Sequence, residues 1–198
     1  AYLISRYPDV SHTFILREVL ALRSRGVEVF TFSVRRPTAK HVLGPVAEKE
    51  ASRTRSLVPP PVPSLLYAAS SRLCLEPTAA LKALSFAAGH GKQSIHQRIK
   101  WLMYWGEALL LADWLNRAGC SHLHVHFGNA GSSTAVLASQ LAGVPFSMTC
   151  HGSELHDING YRLVEKVQRA AFVVCVSTFG RAQLLRVCPP ETWDKIRV

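Results

Sequence analysis

The stretch Leu123-His124-Val125-His126-Phe127-Gly128-Asn129-Ala130-Gly131-Ser132-Ser133-Thr134 decides how this chain folds. Residues 123–127 alternate in the manner of a strand. Gly128 to Gly131 then turn the chain into a helix through Val136, Leu137 and Leu141, and Gly143 ends it. Val144 to Cys150 reads as a second strand. Two strands joined through a helix form a parallel pair. Working downstream, His151-Gly152-Ser153-Glu154 follows that strand directly, and a helix is expected near 161–170. Phe172-Val173-Val174-Cys175-Val176 is a nearly continuous apolar run, which suits a parallel strand covered on both faces. Ser177-Thr178 caps a helix through Leu184 and Leu185, and Lys195 to Val198 begins one more strand.

Working upstream, Leu3-Ile4-Ser5 reads as a first strand. Ser11 is the expected N-cap of a helix through Phe14, Ile15, Val19, Leu20 and Leu22. Gly26 ends that helix, and Val27 to Val34 reads as the second strand with Gly26 as the whole join. Two segments interrupt the alternation. Residues 35–63, basic and closed by Pro59-Pro60-Pro61-Val62-Pro63, read as a loop outside the core. A domain boundary at the prolines is disfavoured, because two strands alone make no stable domain. Residues 64–118 read as a helical insertion, split at Pro77 and again at Gly89-His90-Gly91, and ending at Gly119. The expected fold class is α/β: one domain over 1–198, a Rossmann-like doubly wound parallel sheet with a helical excursion.

Composition narrows the function classes. The chain has 198 residues, 48% of them hydrophobic and 18% charged. Such a balance is that of a globular domain. No apolar stretch reaches the roughly 20 residues of a membrane span, and no signal peptide is legible. The five cysteines are odd in number with no C-x-x-C spacing, so neither a disulfide framework nor a zinc knuckle is indicated. A reducing, cytoplasmic setting follows. The net charge of +10 favours anionic partners. Nucleic acid is not expected among them, since the basic residues are scattered without interleaved aromatics. An anionic membrane surface, met from the inner face of the cell membrane, competes evenly with a merely solvated basic surface.

In a doubly wound sheet, ligands bind beyond the C-terminal strand ends. After the first strand stand Arg6 and the turn Ser11-His12-Thr13, whose free N–H groups suit an anion. The dinucleotide fingerprint G-x-G-x-x-G is absent. His122, His124 and His126 share one strand face, which invites a zinc reading. His122 and His126 lie roughly 13 Å apart at about 3.3 Å per residue, too far for one ion, so no metal is expected. His126 stands apart at the strand's C-terminal end. The sharpest spot is Thr149-Cys150-His151-Gly152-Ser153-Glu154, where His151 projects from a strand tip. Gly152 permits a tight turn there, and Glu154 can orient the imidazole. Ser177, after the last complete strand, can bind a ligand or simply cap a helix.

These residues carry a resemblance. Pro8-x-x-Ser11-x-Thr13-Phe14-Ile15-x-x-Glu18, then His124-x-His126-Phe127, Pro145-Phe146-Ser147-x-Thr149-x-His151-Gly152-x-Glu154 and Val176-Ser177 occur in that order. The set resembles the N-terminal domain of bacterial family-4 glycosyltransferases of the GT-B type, those of colanic acid and exopolysaccharide biosynthesis. The resemblance implies a retaining, metal-independent transferase with no cofactor. It would pass a sugar from a nucleotide-sugar to a glycan or lipid-linked acceptor in polysaccharide or lipopolysaccharide synthesis. This half would face the acceptor, and a donor-binding C-terminal domain would lie outside the 198 residues. By position, His151 would be catalytic at the donor sugar. Arg6, Ser11, Thr13, His126, Gly152, Glu154 and Ser177 would line or support the substrate cleft. Two departures stand out. His12 replaces a common Glu, and Arg6-Tyr7-Pro8 replaces a Gly-Gly phosphate loop. Two other readings remain beside it: a non-catalytic module binding a phosphorylated ligand, and a histidine-rich metal-dependent hydrolase.

Overall fold

The computed structural model describes residues 1–90 and 94–198. Seven strands form one sheet: β1 (Tyr2–Arg6), β2 (Thr31–Arg35), β3 (Arg55–Val58), β4 (Leu123–His126), β5 (Phe146–Cys150), β6 (Val173–Cys175) and β7 (Ile196–Arg197). All neighbours are parallel and the spatial order is β3-β2-β1-β4-β5-β6-β7. The chain winds outward one way from β1 and the other way from β4, so the sheet is doubly wound and Rossmann-like.

Strand alternation sorts the two faces. Leu3, Phe32, Leu57, Val125, Met148 and Val173 point into the larger core. Tyr2 and Ile4 point the other way, into a smaller core with Ile15 and Val19 of α1 (Thr13–Ser24). The larger core is filled by α5 (Ile95–Arg117) and α6 (Ala130–Ala142). Leu109, Leu110, Leu111 and Leu115 of α5 are fully buried. Each contributes roughly 1.5–3 kcal/mol on leaving water. Before it come α3 (Val62–Leu75) and α4 (Pro77–His90), which meet at Pro77 as expected. The α4 helix ends at His90, within the expected break, and α5 follows from Ile95. Gly91 of the expected break and the expected start of the third helix at 93 lie outside the described residues. The three helices α3, α4 and α5 form the connection from β3 to β4, and α5 supplies much of the principal core.

Three local expectations are corrected. Residues 35–63 do contain core structure: α2 (Pro45–Arg53) leads into β3, which pairs with β2 and buries Leu57. β3 is a four-residue edge strand with a single fully buried side chain, so its sequence carries almost no period-two signal. The second strand begins at Thr31, not Val27. Val27 and Phe30 are exposed, while the Val29 carbonyl accepts hydrogen bonds from Arg23 Nε and Nη2 at 3.1 and 2.7 Å. Ser11 is not the N-cap of the first helix. Asp9 caps a short 3-10 turn (Val10–His12), its carboxylate accepting from the Ser11 N–H at 2.9 Å, and α1 follows from Thr13. Gly26 does sit just past α1 with a positive φ of 83°. There the Val27 N–H closes back onto the Leu22 carbonyl at 3.1 Å. Among the described residues no helix is long and apolar enough to cross a membrane.

Candidate functional site

The winding reverses between β1 and β4, the place where a doubly wound sheet is expected to open a crevice beyond the strand ends. Arg6 ends β1 and His126 ends β4. His151 follows β5, the next strand over.

His126 and His151 meet directly, Nδ1 of the first lying 3.0 Å from Nε2 of the second. His126 is buried at 1% exposure, and its Nε2 lies 3.5 Å from Oε2 of Glu18 on α1. Glu18 in turn accepts a 2.5 Å hydrogen bond from the Tyr2 hydroxyl. A chain of polar groups therefore runs from His151 through His126 and Glu18 to Tyr2. Burial, reinforced by the neighbouring histidines, lowers the His126 pKa to about 3. The imidazole is therefore neutral at pH 7, and its approach to Glu18 is not an ion pair. Burial also lowers the His151 pKa, with Glu154 pulling the other way and His12 adding to the fall. Burial pushes the Tyr2 hydroxyl well up, so it stays a proton donor.

The other two histidines of the strand are held by hydroxyls. Nδ1 and Nε2 of His124 face Ser147 Oγ at 2.7 Å and Thr149 Oγ1 at 3.0 Å, and His122 Nε2 faces Ser147 Oγ at 2.7 Å. This ladder follows from pleat and register, because Ser147 and Thr149 pair beside His124 and His126. Burial lowers the His124 pKa to about 4.

A second network fixes the loops that carry the pair. Glu154 is completely buried, and Oε1 accepts from the backbone N–H of Gly128 at 2.8 Å and of His151 at 3.1 Å. Its hydrogen bond to the His151 loop is thus made to the main chain, and it acts on the imidazole through its charge alone. Lys166, on α7 (Leu163–Arg169), is equally buried and donates to the carbonyls of Gly128 and Asn129 at 3.0 and 2.8 Å. Burial brings its pKa down to about 7, with Cys150 and Glu154 opposing. Glu154 and Lys166 together grip the turn after β4 by its donor and acceptor groups. Glycine fits closely at 128, since a Cβ there would lie 2.6 Å from Leu163 Cδ1 and 3.2 Å from Glu154 Cγ and would force those side chains to shift. Gly152 has φ 104°, the conformation expected from its place after the strand tip. Phe127 adopts φ 71°. That left-handed conformation is costly for a non-glycine residue. Its ring centroid lies 4.3 Å from that of His151, so strain is stored beside the exposed edge of the pair.

The remaining candidates fall around this centre. Ser177 accepts from the Gly180 N–H at 3.1 Å as the N-cap of α8 (Thr178–Val187). It also lines a cavity of about 460 Å³ with His151, Gly152 and His156. Arg6 is within 3.1 Å of His41 Nε2, and its Nε is buried without a partner. Ser11 and Thr13 are exposed at the start of α1. His12 between them turns inward, 5.2 Å from the Phe127 ring. Comparison with known protein families, with curated proteins and with solved structures finds no match to this chain.

The geometry adds residues that motif reading did not select: Tyr2, Glu18, Phe127, Gly128 and Lys166. Glu18 and Phe127 stood inside the quoted motifs, but one-dimensional spacing could not bring them to His126 and His151. The same placement revises the metal expectation. That expectation weighed the strand histidines alone, and Glu18 arrives from another element. Ligand atoms of Glu18, His124 and His126 all lie within 4.8 Å of one another.

Proposed function

We propose that this chain forms the acceptor-side wall of a retaining sugar transferase that uses a nucleotide-sugar donor. The supporting observation is the His126–His151 pair at the switch point of a doubly wound sheet, beside the cavity of about 460 Å³. The ordered motifs of the sequence point the same way. Transfer from an activated sugar needs groups that meet charge at the anomeric carbon and the leaving phosphate. His151, neutral and partly exposed at the cavity, can offer a hydrogen bond or a dipole to the donor sugar. His126 orients it from behind. Arg6 at the end of β1 and the exposed Ser11 and Thr13 at the start of α1 would meet an acceptor hydroxyl or phosphate beyond the strand ends, the Ser11 N–H itself being taken by Asp9. A buried Glu154–Lys166 clamp holds the loops still, so little reorganisation accompanies the reaction. On this reading the acceptor is a glycan or lipid-linked saccharide.

The test is the split between turnover and binding in an enzyme with both walls of the cleft. His151→Ala is expected to lower kcat by roughly two orders of magnitude or more while acceptor affinity changes little, the mark of a contact made in the transition state. Equal losses in kcat and acceptor affinity would reduce His151 to a binding residue. The chain on its own, offering one wall, is expected to show no appreciable transfer, and transfer at ordinary rates by this chain would overturn that.

The convergence of Glu18, His124 and His126 favours a second reading, a metal-dependent hydrolase. Two buried neutral imidazoles and a carboxylate are a zinc-type ligand set. Against it, both ring nitrogens of His124 are already engaged by hydroxyls. Elemental analysis of untagged protein decides: about one zinc per chain, lost in Glu18→Gln, would replace the transferase reading.

A further inference from the structure

The sheet edge farthest from His151 carries a second opening. A cavity of about 950 Å³ lies against β3, lined by Arg36, Arg55, Arg117, Tyr67 and Trp114 among others. In the sheet order β3 stands four strand positions from β5. Neighbouring strands are about 4.8 Å apart, which puts roughly 19 Å between the two. Nothing in the transfer chemistry above uses this opening.

Its electrostatics are lopsided. Three guanidinium groups face one acid, Asp113, and that acid is taken by Arg117 at 2.8 Å. Among the described residues neither Arg36 nor Arg55 has an ion-pair partner. Crowding like charges into one concavity is unfavourable without an anion to share. The aromatic groups are placed around those charges. Arg117 sits 4.7 Å over the Tyr67 ring and Arg55 sits 5.4 Å over the Trp114 ring. Such stacking holds each planar fork in a defined direction. Tyr67 is 54% exposed, so its ring also offers a flat apolar edge to a ligand. Ser56 and Ser64 add hydroxyls to the lining, while that of Thr54 is engaged by Glu50 and Thr31.

Each feature selects a ligand class. Exposed arginines without an ion-pair partner are free to take a phosphate or carboxylate. Serine hydroxyls beside one aromatic face suit a polyhydroxylated ring that presents both polar groups and apolar C–H. The volume holds a small molecule, not a duplex, and one exposed ring gives no ladder for successive bases. We propose that this cavity is a second binding site, for a phosphate- or carboxylate-bearing saccharide. The proposal stands apart from the transferase reading, since neither His126 nor His151 takes part.

Calorimetric titration of the chain tests it with four probes: glucose 6-phosphate, a galacturonate trisaccharide, glucose and inorganic phosphate. Both acidic saccharides are expected to bind, and more tightly than glucose or inorganic phosphate. Replacing Arg36 and Arg55 together by Gln should weaken them by roughly tenfold or more. Tyr67→Ala should weaken the acidic saccharides severalfold but leave inorganic phosphate within about twofold. His151→Ala should change nothing, and all three variants should melt with the parent. The two saccharides separate the sources: preference for one names phosphate or carboxylate as the group recognised. Absence of binding up to about 10 mM overturns the proposal. So does acidic-saccharide binding no tighter than that of inorganic phosphate, indifference to the arginine pair, loss in His151→Ala, or displacement by an oligonucleotide at lower concentration.

Discussion

Nδ1 of His126 and Nε2 of His151 lie 3.0 Å apart, so only one of the two nitrogens carries a proton between them when both rings are neutral. The second nitrogen of His126 decides which. Nε2 is buried without a hydrogen-bond partner, and its nearest acid is the Glu18 carboxylate at 3.5 Å, whose charge favours a proton on that nitrogen. His126 then accepts at Nδ1, His151 donates from Nε2, and Nδ1 of His151 keeps its lone pair. Glu18 thereby sets the tautomer of a residue it does not touch.

Glu18→Gln tests that chain. An amide can turn its N–H₂ toward His126 and reverse both tautomers. Activity attributed to His151 is expected to fall about tenfold to a hundredfold, with the pH profile of kcat displaced and acceptor KM little changed. Tyr2→Phe removes only the donor to Glu18 and should have a smaller effect in the same direction. An unchanged pH profile in Glu18→Gln would sever Glu18 from the pair.

Stability should depend on acid through His124 and His126. Their folded pKa values are about 4 and about 3. Both lie below the unfolded value near 6.5. The unfolded chain therefore binds more protons between these limits. Stability contributed by the two rings is complete above about pH 6.5 and falls as pH drops toward 4, by up to about 1.4 kcal/mol per histidine per pH unit. Urea unfolding at pH 7.5, 6 and 5 measures the slope, and His124→Asn should remove roughly half of it.

The turn after β4 should tolerate little. Gly128→Ala places a methyl against Leu163 and Glu154. That overpacking is expected to cost about 1–3 kcal/mol. Lys166→Met fills similar volume but strips the carbonyls of Gly128 and Asn129 of their buried donor. The loss should amount to about 2–4 kcal/mol. Thermal unfolding of both variants provides the check, and an unshifted melt for Lys166→Met would mean that water replaces the ammonium.

Phe127 should gain from a residue at ease in the left-handed region. Phe127→Asn relieves backbone strain of about 1 kcal/mol. It also removes the ring beside His151. A protein no less stable but slower in turnover is expected, and loss of stability with unchanged turnover would make Phe127 a packing residue only.

Much of this was written locally. Alternation in 123–127, the apolar run 172–176, Gly26 and Gly143 past helix ends and Ser177 at a helix start each act within a few residues, so the parallel doubly wound sheet follows from the sequence alone. His126, His151, Gly152 and Glu154 were legible as well, because strand ends are where such a sheet exposes side chains. Tertiary structure decided the rest. β3 is a strand because β2 offers it an edge, a long-range fact that four residues cannot encode. Glu18 reaches His126 because α1 packs over β1, next to β4. Glu154 grips main-chain N–H groups, and Lys166 carbonyls, because burial leaves each buried polar atom only the partners that the fold brings near.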